Sequence, residues 1–177
     1  MILEILILVL TFLLLVFLQS KNKDSWKIFL ITATGVLLFQ YYTQAIWIVN
    51  GLESWAYIYL DVSWIMTLLW SNVIICSLFI VDKSKPKLSE IKKFFLSVGV
   101  IFIFVIIIER VFIELGIRSY SQAVLDLLEI STPLFGGFIT LREIIYIFAF
   151  MSLVVGFIKY WQSNLELQSF SKGGKLR

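Results

Sequence analysis

Six charged residues crowd two short stretches, Glu109, Arg110, Glu114 and Arg118 in one and Arg142 and Glu143 in the other. Arginine presents a planar fork of donors that matches carboxylate or phosphate, so a cluster of this composition suits either ion pairing between helices or recognition of an anion. Arg110 and Glu114 are i, i+4 neighbours on a helix and are expected to pair, whereas Glu109 points about 100° away and needs another partner. Arg142 is the first candidate for it and Arg118 the second. Three roles follow: a structural cluster that fixes two helices or docks a neighbouring subunit, a headgroup site for an anionic lipid, or acid chemistry by carboxylates. No spacing singles out a catalytic pair among Glu109, Glu114, Asp126, Glu129 and Glu143.

A second group is polar but uncharged. Gln40, Gln44 and Trp47 fall on one helical face at i, i+4 and i+7, and Asn72 lies at a similar depth on a neighbouring apolar segment. Gln40, Gln44, Asn72 and Asp61 therefore form a candidate intramembrane seam, either as interhelical hydrogen bonds or as the lining of a transport path. Asp61 is expected to start a helix and to be favoured there by its dipole.

Other chemistry has little to work with. The chain has no histidine, and Cys76 is its single cysteine, so no histidine-ligated metal, thiolate cluster, intrachain disulfide or Ser-His nucleophile system can be built. No apolar segment carries a central lysine for a Schiff base. No catalytic residue, cofactor or metal site is expected.

The elements that must hold these residues are membrane spans. Of the 177 residues 60% are hydrophobic, two are proline, and the mean hydropathy is +0.95, which leaves too little polar surface for a soluble domain. The net charge of +3 is spread over short connections flanking apolar runs, which argues against nucleic acid as a partner. An all-α, multi-pass membrane protein is expected, with spans at about 2–18, 26–49, 61–81, 90–115 and 141–161 forming a single domain 1–161. The first run, from Met1, lacks a basic region and a small-x-small cleavage site, so it is read as a retained span. Asp24 or Ser25 is expected to cap the second span, Ser89 the fourth, and Gly116 to end it in the left-handed conformation. Ser119 to Gln122 and Thr140 to Glu143 fit capping boxes. The first would open an interfacial helix over about 120–130 with Val124, Leu127 and Leu128 on one face, and Ser131 to Gly137 would break it. A basic, flexible tail over 162–177 completes the chain.

The cations set an orientation. All eleven lysines fall within 21–27, 83–93 and 159–175, whereas three of the four arginines fall within 110–142. With the amino terminus outside, twelve basic residues against four acids lie inside, and three against eight lie outside. Trp26 and Trp161 at inner ends and Trp47 and Trp55 at outer ends fit an aromatic belt. The expected location is the cytoplasmic membrane of a prokaryote.

Five spans do not divide into equal inverted halves, and the chain has no internal repeat and no G-x-x-x-G, which lowers the case for repeat-built transporters. With only five alanines and nine glycines to line close helix contacts, the spans are expected to need company. The leading expectation is a non-catalytic integral subunit or assembly partner of a larger membrane complex, with other membrane subunits or a second copy as partner. A small transport or channel protein using the seam is the alternative, and a lipid-binding or lipid-modifying protein using the charged cluster is the third.

Overall fold

The computed structural model describes residues 1–21, 25–129, 133–134 and 139–173. Among the described residues, four helices are long and apolar enough to cross a membrane: α1 (Ile2–Lys21), α3 (Trp64–Ser84), α4 (Glu90–Glu114) and the Leu141–Asn164 part of α6 (Leu141–Gly173). A further long helix, α2 (Ser25–Thr43), packs against α1, α3 and α6. Short two-stranded ladders and the helix α5 (Gln122–Glu129) fill the connections.

Each helix buries the stripe that its spacing dictates. In α1 the buried residues are Glu4, Ile7, Thr11 and Leu18, at i, i+3, i+7 and i+14, while most of the remaining Ile, Leu, Val and Phe side chains stand exposed, as suits contact with lipid. Thr11 is polar yet buried because Asn72 of α3 donates to its Oγ1 at 2.7 Å. α2 buries Phe29, Thr32, Val36, Gln40 and Thr43 on one face. Its Gly35 lies against α6 so closely that a Cβ there would stand 2.9 Å from the Phe157 ring. The core is built by α2, α3, α4 and α6 around Val36, Ile74, Val98, Ile101, Val155 and Ile158.

Helix ends depart from the expected boundaries where tertiary pairing intervenes. The second span was expected to reach residue 49, but α2 stops at Thr43 and Trp47–Val49 forms strand β1, paired antiparallel with β4 (Arg118–Tyr120). Ser119 therefore sits in a strand opposite Ile48 rather than in a capping box, and α5 opens after Ser121, whose carbonyl accepts from Val124 and Leu125. The third helix begins at Trp64, not Asp61. Ser63 is its N-cap and accepts from the Met66 amide, while Asp61 lies in the turn between β2 (Tyr57–Tyr59) and β3 (Val62–Ser63). α4 follows Ser89 without a side-chain cap bond and ends as expected at Gly116, whose φ of 69° suits glycine. α6 starts at Leu141 behind the ladder of β5 (Pro133–Leu134) and β6 (Ile139–Thr140), and it continues past 161 into the segment expected to be a loose tail. Asp24, the side chains of Leu127 and Leu128, most of the Ser131–Gly137 break and residues 174–177 lie outside the described residues.

Two connections meet at one end of the helices. β1 belongs to the α2–α3 connection and β4 to the α4–α6 connection, and their register sets Trp47 opposite Tyr120 and Val49 opposite Arg118. Asp61 Oδ1 accepts from the Val49 amide at 2.9 Å, and the Glu53 amide donates to Glu4 Oε1 at 2.9 Å, so the start of α1 joins the same end. At the other end Lys159 approaches Asp82 and Glu90.

The Gly35 contact yields a direct check. Gly35→Val drives a branched side chain into Phe157 and is expected to destabilise by about 1–3 kcal/mol. Gly99→Val, where a Cβ meets open space, is expected to leave thermal unfolding in detergent nearly unchanged. Equal melting temperatures for the two variants would remove the close-approach argument.

Candidate functional site

The charged cluster assembles at the end where the two connections meet. Arg118 of β4 forms a buried ion pair with Glu109 of α4, each residue being 5% exposed. Glu109 was expected to find Arg142 first, but a strand crossing the end of α4 brings Arg118 closer. The Arg118 guanidinium lies 3.9 Å from the Trp47 ring centroid and 6.0 Å from that of Trp70, so aromatic faces and a carboxylate share its charge. Trp47 in turn packs on Tyr120, with ring centroids 4.4 Å apart.

Glu143 is the second anchor. Its expected capping box forms: Oε2 accepts from the Thr140 amide at 2.6 Å, and the Glu143 amide donates back to Thr140 Oγ1 at 3.3 Å. The other oxygen, Oε1, accepts from Arg110 at 2.5 Å and from the Tyr120 hydroxyl at 2.6 Å. Arg110 thus reaches across to α6, whereas Glu114, its expected partner, stands exposed at the end of α4. Burial and the adjacent Glu143 carboxylate push the Tyr120 phenol far above its ordinary range, which keeps it a protonated donor. A single carboxylate therefore ties α4, β4 and the start of α6.

The expected seam divides into separate structural bonds. The Gln40 amide hydrogen-bonds Thr67 Oγ1 at 2.9 Å and reaches the Ser63 backbone, so it joins α2 to the start of α3. Asn72 turns to Thr11 of α1 instead of to Gln40. Asp61 holds the β1 backbone, and Gln44 lies beyond the end of α2, where it borders a void of about 10 Å³ together with Gln40 and Asp61. Three of the four seam residues thus border one small void, and Asn72 faces α1.

Below the charged cluster lies a cavity of about 210 Å³, enclosed by α2, α3, α4 and α6 and bordered by Trp47, Tyr120 and Val124 from the connections. Its deeper wall is apolar, formed by Val36, Ile74, Val105, Ile147, Met151 and Val154. Its polar groups gather towards the helix ends, where Glu109, Arg118, Tyr120, Arg142 and Glu143 lie, with Gln40 one turn down α2. From Arg142 to Val154 along α6 is about 18 Å. The arrangement is amphipathic. It matches an elongated apolar group carrying one polar end.

Trp70, Tyr120 and Tyr146 also border the cavity or its charges without having been singled out by sequence, whereas Trp47, placed by sequence beside Gln40 and Gln44 and at an outer span end, becomes one of the cavity's walls. Tyr120 and Tyr146 carry only the signal of an aromatic residue near a span end, and Trp70, in the interior of α3, carries none. No protein family, curated protein or solved structure matches the chain.

Removing one partner of a buried pair strands the other charge, a loss of about 3–5 kcal/mol. Arg118→Met is expected to lower thermal stability by that order, while the double replacement Glu109→Leu with Arg118→Met recovers most of it. A double variant no more stable than Arg118→Met would show that the two charges are not coupled.

Proposed function

We propose that this chain is a five-span membrane protein that binds an amphiphilic molecule, with its tail in the cavity and its head at the Glu109, Arg118 and Glu143 cluster. The observation that carries this reading is the polarity gradient along the cavity, apolar at depth and hydrogen-bonding near the helix ends. In the proposed topology α2 is the fifth span, the end bearing β1 and β4 faces outside, and the lysine-rich connections lie in the cytoplasm. The meeting of the two connections at one end, with the 82–90 connection beside Lys159 at the other, supports an alternating course.

The other expected roles draw less support. A transport path along the seam has to compete with hydrogen bonds that Gln40, Asn72 and Asp61 already make within the fold. An assembly partner was expected from the scarcity of small residues, and the exposed apolar faces of α1 suit acyl chains as well as another protein.

Mass spectrometry of the gently solubilised protein tests the reading. A copurifying amphiphile is expected on the unaltered chain and is expected to be lost from Met151→Trp, which fills the cavity. It should remain on Ile103→Trp, placed on an exposed face of α4. An adduct whose population ignores Met151→Trp would place the ligand elsewhere and sink the proposal.

A further inference from the structure

Glu109 is 5% exposed and spends Oε1 on Arg118, yet its Oε2 has no hydrogen-bond partner among the described residues. Arg118 Nε is likewise buried without one. Both side chains line the cavity. A buried carboxylate oxygen that lacks a donor carries its full desolvation penalty, so an occupant that donates to it gains most where the site is least satisfied.

Resting on the amphiphile reading above, we propose that the head selected here is a neutral hydroxyl and the ligand class a long-chain alcohol. An ionised carboxylate or phosphate offers only acceptors and would set a second negative charge beside Glu109. An ammonium donates to Oε2, but it has no lone pair to accept from Arg118 Nε and sets its own charge beside that guanidinium. A hydroxyl donates one hydrogen bond to Oε2 and keeps lone pairs that Arg118 Nε can use. The argument rests chiefly on Glu109, because Arg118 also borders the void of about 10 Å³ beside Gln44, room for about one water. The main cavity of about 210 Å³ falls below the roughly 300 Å³ of small drug-sized sites, which favours one chain over a two-chain lipid.

A panel of heads on one tail separates the possibilities without any variant. The unaltered protein in phosphatidylcholine nanodiscs is photolysed with dodecanol, dodecanoate or dodecyl phosphate, each carrying a terminal diazirine, at a pH where both acids are ionised. Dodecanol is expected to label Val105, Ile147 or Met151 at least roughly tenfold more than either anion, and unlabelled dodecanol should compete. Glu109→Gln, which can turn an amide donor to the same spot, is expected to narrow that gap. Labelling of the same residues by an anion as strongly as by dodecanol would overturn the hydroxyl assignment while leaving the amphiphile reading intact. If no probe labelled those residues competitively, the amphiphile reading itself would fall.

Discussion

A guanidinium sunk among helices and indole rings must be balanced, and the Glu109 carboxylate balances Arg118. The cost of burying either charge alone is several kcal/mol, so the pair dictates where the backbone carrying each member can go. β4 has to cross the end of α4, and pairing with β1 then satisfies its backbone and draws the α2–α3 connection over the same end. Trp47 arrives with β1 and covers the guanidinium. Glu143 performs the matching task for α6, since its capping bonds, Arg110 and Tyr120 all converge on one side chain. The roof over the cavity is therefore a consequence of charge neutralisation.

What was legible in the sequence is what depends on neighbours along the chain. The Thr140 to Glu143 box reads directly, because both partners of a reciprocal cap lie within one turn. Gly116 reads as a helix stop because its positive φ is a property of one residue. Continuous apolar runs announced α1, α3, α4 and the start of α6. Equal depth suggested a Gln40 to Asn72 bond, but depth leaves the azimuth open. Asn72 follows Ser71, which is fully buried, and the 100° step between them turns Asn72 towards α1.

The rest was hidden by distance in the chain. Trp47–Val49 and Arg118–Tyr120 are each three residues long, too short to show an alternation, and each gains its structure from the other about seventy residues away. Once that ladder is unknown, the partner of Glu109 cannot be chosen between Arg118 and Arg142. The same ladder removes Ser119 from its helix and leaves Trp47 as a wall of the cavity instead of a plain interfacial anchor. Asp61 shows the converse, a good helix-start residue whose carboxylate is taken by the Val49 amide so that Ser63 caps α3.

Such a cavity can persist because of the solvent. In water an apolar void of this kind would be penalised by the contacts its walls forgo, whereas in a bilayer the competing solvent is itself apolar and helices gain little by closing on each other. Shape is then held by polar bonds at the rim and by bulky rings, and here Glu143, Arg118, Trp47 and Tyr120 supply both. A tail moving from lipid into the cavity exchanges one hydrocarbon environment for another, so it contributes little discrimination. Selectivity must come from the head, where one hydrogen bond at a site screened from water outweighs much of the tail's contact area. The Glu109 oxygen that has no partner among the described residues occupies the position where that single bond would decide the outcome.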